Sequence, residues 1–397
     1  MRAGERLVIV GAGPAGLSTA RAYRQAGGSA EVILLAGEGL LPYERPPLTK
    51  ELLRGESTVE ALWLETPEFF GAQGIQLRLG AWATELDPSR GELSLSGGDR
   101  LGYDACVLAC GSAPAVLPVE GADHPDLLTV RELGDSRRLG GWGTPEHDIL
   151  VVGTGFIGCE AAASLSGLGA SVAMVGMEEL PQETRLGAEV AQRLAGWLAG
   201  DGVVVHGGEQ VADVQRTATG WRVAFESGRS HDAHAVLLAT GVRRRLELAQ
   251  GAGLEVSDGS VATDSGMATS AEGVLAVGDL AAAENPTAGR RLHVEHWGEA
   301  LAHGEVAGRR LAGQTATWDS VPGFWSTIGK RTLKYAAWGD GFDVARLEEH
   351  PEGAFTVTYG RDGTVVGVLT HRCDEAYEHG REQVAQGSAF SPGSARS

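Results

Sequence analysis

GAGPAG at Gly11–Gly16 and GTGFIG at Gly153–Gly158 are two glycine-rich loops, 142 positions apart in one chain of 397 residues. Each follows a β-branched run, LVIV at Leu7–Val10 and ILVV at Ile149–Val152, and each opens a small-residue helix. That context turns a weak pattern into a strong one. The first glycine of such a loop makes the tight turn, and the second lets the backbone approach a pyrophosphate. The third lets the helix pack close to the strand, so that the diphosphate rests on the helix N-terminus. Gly11, Gly13, Pro14, Ala15 and Gly16 therefore read as one nucleotide loop, and Gly153, Gly155, Phe156, Ile157 and Gly158 as a second. Two dinucleotides in one chain predict a flavin facing a nicotinamide.

At this length two or three domains are expected, each able to bury a core. With 43% hydrophobic residues and no apolar run of membrane-spanning length, the chain reads as a soluble globular protein. It enters its first strand by Leu7, which leaves no room for a signal peptide and predicts a cytoplasmic location. The formal charge of −19 opposes nucleic-acid binding, which depends on neutralising phosphates. The four cysteines are Cys106, Cys110, Cys159 and Cys373. The first two lie on one predicted strand, about 13 Å apart, too far for a disulfide, and read as packed strand residues. Cys159 stands at a helix start, where a thiol can be activated, but its small size favours packing. No metal-ligand cluster is apparent.

Along the chain, Arg6–Val10 and Leu17–Gln25 form a βα unit, with Glu31–Leu35 as the second strand. Glu38, 27 positions after Gly11, is the candidate acid for an adenosine ribose. Ile75–Leu79 and Gly91–Leu108 read as hairpin strands ending at ACGS, and a Pro-containing stretch, Pro114–Pro125, leads to the second unit. That unit runs strand Ile149–Val152, helix Phe156–Leu168, strand Ser171–Val175, a helix at Leu186–Leu198, then strands at Val203–His206, Trp221–Phe225 and Ala235–Gly241. ACG (Ala109–Gly111) and ATG (Ala239–Gly241) echo one another at the ends of the two nucleotide regions. After Gly313 come turns and short strands, and a Gly/Ser/Ala-rich tail from Gln386 is expected to be disordered.

PYERPPLTKELL at Pro42–Leu53 closely resembles a segment of the ferredoxin reductase group of flavoproteins, which includes putidaredoxin reductase, dioxygenase reductase components and apoptosis-inducing factor. GTGFIGCE (Gly153–Glu160), VLAVGD (Val274–Asp279), HVEHWGEALAHG (His293–Gly304) and PGFWS (Pro322–Ser326) follow in the group's order, so the resemblance covers essentially the whole chain. It implies an α/β fold with two Rossmann-like dinucleotide-binding domains, as in glutathione reductase, plus a small C-terminal α+β domain. The expected division is 1–112 with 241–313 for FAD, 113–240 for NAD, and 314–397 for the C-terminal domain. Members pass electrons from NAD(P)H through FAD to a small iron–sulfur protein, the redox chemistry being the flavin's. A [2Fe-2S]-type ferredoxin partner and a monomer or weak homodimer are implied. Disulfide reductases of this fold carry two cysteines in the region matching Arg45–Leu52, where this chain has prolines, Thr49 and Lys50.

The resemblance also implies site residues. Arg45 contacts the adenosine–diphosphate side of FAD, Lys50 approaches the flavin, and Glu160 pairs with Lys50 beside the nicotinamide. Asp279, after Gly278, accepts hydrogen bonds from the ribityl chain. Trp297 and Trp325 shield the ring; Gly111, Gly241, Glu295 and His296 complete the cofactor set. The plain alternatives are surface cations on a stiff turn, a solvated glutamate, a turn-forming aspartate and core tryptophans. Four departures stand out. Gly176 replaces the group's ribose-binding glutamate at the end of SVAMV, leaving Glu178 or Glu179 to substitute; with Arg185 the only nearby cation, NADH is favoured over NADPH. His293 replaces an arginine, and STIGK follows FW. The VRRR run at Val242–Arg245 replaces a Pro-Asn pair; it is either a solvated face or a phosphate contact. Lys330, Arg331 and Lys334, with Arg309 and Arg310, form the candidate docking patch for an acidic ferredoxin. The sequence thus predicts an NADH:ferredoxin reductase feeding a monooxygenase or dioxygenase. The alternatives are a self-contained flavin oxidase or reductase acting on oxygen or a small molecule, and a redox-sensing interaction protein.

Overall fold

Both motif-bearing strands are apolar on every face, and both lie inside parallel sheets. The structure, a computed structural model, describes residues 1–391. Arg6–Val10 is the middle strand of a five-stranded parallel sheet ordered Val274–Ala276, Ala105–Leu108, Arg6–Val10, Glu31–Ala36, Ile75–Leu79. Asp148–Val152 lies inside a four-stranded parallel sheet ordered Val203–His206, Ser171–Val175, Asp148–Val152, Ala235–Leu238. Leu7, Val8 and Ile9 are fully buried, as are Leu150 and Val151. Continuous apolar runs of this kind suit strands covered on both sides.

The hairpin expected over 75–108 is only partly formed. Ile75–Leu79 pairs in parallel with Glu31–Ala36 instead, and Ala105–Leu108 pairs in parallel with Arg6–Val10. The antiparallel pairing in this span is made by Glu92–Leu95, with Ala83–Asp87 on one side and Arg100–Gly102 on the other. The four residues of Ala105–Leu108 are all buried, whereas Glu92–Leu95 alternates. An unbroken apolar strand goes to the sheet interior and an alternating one to the surface. The helix expected at Leu186–Leu198 is also divided, into Glu183–Leu186 and Ala188–Gly200, at Gly187 with φ +83°.

The C-terminal strands form one antiparallel sheet ordered Gly323–Ile328, Arg331–Ala337, Thr364–His371, Phe355–Arg361, Val344–Glu349. Its Phe355, Val357 and Leu369 share a core with Val190, Leu194 and Leu198 of the second nucleotide unit. A helix, Asp374–Gln386, packs on this sheet so closely that a Cβ on Gly380 would overlap Val368. Residues just beyond it are held to the sheet as well, since Val365 donates its N–H to the Ser388 carbonyl and Phe390 donates to Gly363. This corrects the start of the expected tail; 392–397 lie outside the described residues. Helix Trp297–Leu311 crosses Pro14–Gln25 at Gly304 and Gly308, where any Cβ would collide with the Ala15 and Thr19 carbonyls. That crossing fixes the helix start beside the first glycine loop. Among the described residues no helix is long and apolar enough to cross a membrane.

Candidate functional site: a two-nucleotide cleft

The two loops repeat one piece of geometry. Gly11 and Gly153 take φ of +107° and +110°, and a Cβ on either would run into the carbonyl of Ala109 or Ala239. A Cβ on Gly16 or Gly158 would run into the carbonyl of Gly11 or Gly153. The ACG and ATG echoes are therefore the backbone against which each loop turns. The middle glycines differ. A Cβ on Gly13 meets nothing within 4 Å, and one on Gly155 meets only the Gln182 Nε2 at 3.8 Å. Those open positions are where backbone is bared to a ligand.

Both loops open into one cleft of about 1370 Å³, larger than the roughly 300–1,000 Å³ of ordinary small-molecule sites. Gly11, Gly13, Pro14, Ala15, Glu38, Arg45, Lys50 and Gly111 line it, with Gly155, Phe156, Ile157, Glu160 and Glu178. So do Gly241, Gly278, Asp279, Glu295, His296, Trp297 and Trp325. Gly16, Gly153 and Gly158 do not line it; they hold strand to helix instead.

Between the loops lies a buried carboxylate with four donors. Glu160 Oε2 accepts from Lys50 Nζ at 3.1 Å and from Thr49 Oγ1 at 2.6 Å. Its Oε1 accepts from Ser326 Oγ at 2.8 Å and from the Thr327 N–H at 3.1 Å. Lys50 is 5% exposed and Glu160 3%. One side chain thus ties the proline-stiffened turn, the second nucleotide helix and the C-terminal sheet together. The reading of Glu160 as a solvated helix-face residue is ruled out. Thr49, at the end of a single helical turn, and Ser326, in a strand, lie inside the PYERPPLTKELL and PGFWS motifs, but nothing in their residue type marks them as partners of Glu160.

At the first loop, Glu38 is positioned by both Arg45 and the Tyr43 hydroxyl. Arg45 also donates to the Arg131 carbonyl. Asp279 Oδ2 accepts from Ser112 Oγ at 2.6 Å and from Arg131 Nη2 at 2.9 Å. Arg131, a cleft residue, sits in the connector with no motif around it, so sequence alone passed it over. The VRRR run divides. Arg243 pairs on the surface with Glu247. Arg244 pairs with Glu295 at 2.7 Å, and burial raises that carboxyl despite the guanidinium. Arg245 lines the cleft.

The second site explains Gly176. A Cβ there would lie 2.5 Å from Thr154 Oγ1 and 2.7 Å from its Cγ2, so no glutamate fits. Glu178 lines the cleft, its Oε1 accepting the Thr184 N–H at 2.9 Å; the Glu179 carboxylate lies over Gly208 instead. Phe156 and His296 pack on Phe324, with ring centroids 4.9 and 4.6 Å away, making an aromatic wall. His296 Nδ1 is buried there with no protein partner. An orphaned polar atom and open glycine positions in a cleft of this size fit adenine dinucleotides.

Burial lowers the pKa of His296, and of the fully buried His303, to about 4. His303 Nδ1 accepts the Gly278 N–H at 3.3 Å, a bond its protonation breaks. The unfolded side chain takes up a proton near pH 6.5, so this stability is full above that pH and is lost as pH falls toward 4. The expected slope is about 1.4 kcal/mol per pH unit for each such histidine. Urea melts between pH 6.5 and 5 should show a shallower slope in His303→Asn, by about that amount; parallel slopes would contradict the assignment. Burial acts on two thiols in the opposite direction, raising the pKa of Cys110 and Cys159 to about 12. Cys106 and Cys110 are unlinked.

Residues 5–304 match the family described as pyridine nucleotide-disulphide oxidoreductase. The chain is 31% identical over 97% of its length to human apoptosis-inducing factor 3, of which it spans 64%. It is 32% identical over 83% of its length to the ferredoxin–NAD(+) reductase subunit of the benzene 1,2-dioxygenase system of Pseudomonas putida, covering 80% of that protein. The reductase in a covalent putidaredoxin reductase–putidaredoxin complex superposes with a TM-score of 0.93 at 28% identity, covering 98% of this chain and 95% of that one. Paired parallel sheets, duplicated glycine loops and a match over three quarters of the sequence converge: the chain belongs to the pyridine nucleotide-disulphide oxidoreductase family.

Proposed function

We propose that the chain is an FAD-dependent NAD(P)H:ferredoxin oxidoreductase that prefers NADH and delivers electrons to a [2Fe-2S]-type ferredoxin serving a monooxygenase or dioxygenase. The observation that carries this reading is the single cleft joining both nucleotide loops across the Lys50–Glu160 pair, with no cysteine on the adjoining turn. The relatives support it by name, one being a ferredoxin reductase subunit of a dioxygenase system.

The chemistry FAD would supply when bound is hydride acceptance and single-electron donation. The chain's own residues bind and orient. The Gly13 loop and the start of the helix at Pro14 receive the diphosphate, with Arg45 as its counter-charge. Glu38 takes the adenosine ribose and Asp279 the ribityl hydroxyls. At the second loop Gly155 faces the other diphosphate and Glu178 the nicotinamide-side adenosine ribose, a carboxylate that repels a 2′-phosphate. Lys50 and Glu160 fix the charge between the two without adding a net one. Trp297, Trp325 and the Phe156–Phe324 wall exclude water. The domain division that fits is FAD on 1–112 with 241–313, NAD on 113–240, and a C-terminal domain from 314.

Four of the candidate docking cations are already paired: Arg331 with Asp201 at 2.9 Å, Lys334 with Asp374 at 2.7 Å, Arg310 with Asp264 at 2.8 Å, and Arg309 with Glu305 at 3.6 Å. Lys330, exposed at the hairpin turn, is the cation of the patch that makes no ion pair among the described residues. Anaerobic NADH-driven reduction of cytochrome c should rise strongly on adding a small acidic [2Fe-2S] ferredoxin. Lys330→Glu should raise the ferredoxin KM by about two- to fivefold, the range of one exposed charge pair, with flavin reduction by NADH unchanged. Flux indifferent to ferredoxin, with oxygen or a quinone reduced as fast, would favour the self-contained oxidase.

A further inference from the structure

We propose that Trp82 and Arg245 form a stacking platform for the adenine of the first nucleotide. The inference rests on the reading that this cleft holds FAD, and it adds a binding element that the glycine loops and acidic residues do not supply. An adenine dinucleotide runs from pyrophosphate through ribose to base. With the pyrophosphate at Gly13 and the ribose at Glu38, the base must lie within one sugar of Glu38. Trp82 is the indole at that place. It lies against Gly37, the residue before Glu38, where a Cβ would be 2.8 Å from the Trp82 Cε2 and 2.9 Å from its Cζ2.

The indole is 45% exposed, although tryptophan is among the most strongly buried residues on average, and it lines the cleft. Arg245 stands over it with Cζ 5.4 Å from the ring centroid. The arginine is anchored at both ends. Its backbone N–H donates to the Gly111 carbonyl at 3.0 Å, and its guanidinium lies 3.7 Å from Glu132. Of the three arginines in the run, Arg243 and Arg244 are committed elsewhere, to Glu247 and Glu295. Arg245 is the one that lines the cleft.

A guanidinium over an indole offers a polarisable surface, which is what a neutral purine needs. Bases stack on aromatic rings and on arginine planes without requiring a charged partner, and the cation over the ring strengthens the layer. The rest of the first site recognises phosphate and sugar; this pair supplies contact to the base.

The test uses the FAD-loaded protein with Trp82→Ala, Trp82→Phe and Arg245→Gln. The FAD dissociation constant is read from flavin fluorescence on release, and ADP serves as the flavin-free competitor. Trp82→Ala should weaken FAD by roughly ten- to hundredfold, the range for removing a base-stacking aromatic, and should weaken ADP competition in proportion. Trp82→Phe should restore most of the affinity, and Arg245→Gln should lose several-fold. Wild-type FAD and ADP binding in Trp82→Ala would overturn the platform and leave the FAD reading intact. Equal losses in the alanine and phenylalanine variants, with a lowered melting temperature, would also overturn it, as a structural role for the indole. A wild-type protein that binds no FAD would instead remove the functional reading beneath it.

Discussion

Replacing Glu160 by alanine is expected to lower the unfolding free energy by about 3–5 kcal/mol, the cost of breaking a buried ion pair from one side. The substitution leaves the Lys50 ammonium, whose side chain is 7% exposed, without a counter-charge. It also strands the Thr49 and Ser326 hydroxyls and the Thr327 N–H. A double variant, Lys50→Met with Glu160→Leu, should recover the part due to the unpaired charge but not the part due to those three donors. The same carboxylate holds three segments around the reacting end of the cleft, so flavin reduction by NADH should slow as well. A loss of roughly a hundredfold is what misplacing reactants by about 1 Å brings. Urea melts of the two variants and the wild type, with rapid-mixing rates on each, separate the effects. Stability recovered in full by the double variant would mean that the hydroxyl contacts contribute nothing. A wild-type rate in Glu160→Ala would mean that Glu160 has no positioning role.

Glycine substitutions in the first loop should separate folding from cofactor binding. At Gly16 an added Cβ collides with the Gly11 carbonyl, backbone against backbone, with no flexible neighbour to yield. Gly16→Ala should therefore damage the fold itself, through strand–helix overpacking worth about 1–3 kcal/mol or more. Gly13 has φ −70° and nothing within 4 Å of an added Cβ, so the Cβ of Gly13→Val meets no protein atom there. The space it fills is the space assigned to the diphosphate. The apoprotein of Gly13→Val should keep its melting temperature while FAD affinity falls by roughly a hundredfold, from overpacking converted to a binding constant. Gly155→Val should do the same for the nicotinamide nucleotide, sparing FAD. Full FAD retention in Gly13→Val would show that the diphosphate does not approach that loop.

The loops themselves were legible because their constraints are local. A G-x-G-x-x-G between strand and helix prescribes the turn, and the pairing of Gly11 with Ala109 and Gly153 with Ala239 accounts for the ACG and ATG echoes. The family resemblance supplied Lys50, Glu160 and Asp279, and the structure brings all three to the cleft. Arg131, Thr49 and Ser326 were not legible. Each meets its partner across a large sequence separation, Arg131 with Asp279 across 148 positions and Ser326 with Glu160 across 166. Nothing in the residue type advertises such a contact. The strands at 75–79 and 105–108 were misplaced for a related reason. Short apolar runs near one another suggest a hairpin, but Ala105–Leu108, buried on both faces, goes inside the parallel sheet, and Ile75–Leu79 joins that sheet as its edge strand. The absent glutamate at position 176 was visible as a departure, while its cause, the Thr154 side chain filling that place, was not. The Gly304–Gly308 spacing is the signal that could have located the tight helix crossing, since small residues four apart share one helix face.

Anaerobic rapid mixing of the FAD-loaded protein with NADH or NADPH, followed by flavin absorbance, tests the central claim most directly. The two loops, the Lys50–Glu160 pair between them and Glu178 at the second site predict fast, complete bleaching by NADH and markedly slower bleaching by NADPH. Flavin that stays yellow with both nucleotides would contradict the account, because the second glycine loop would then not deliver a nicotinamide to the first cofactor.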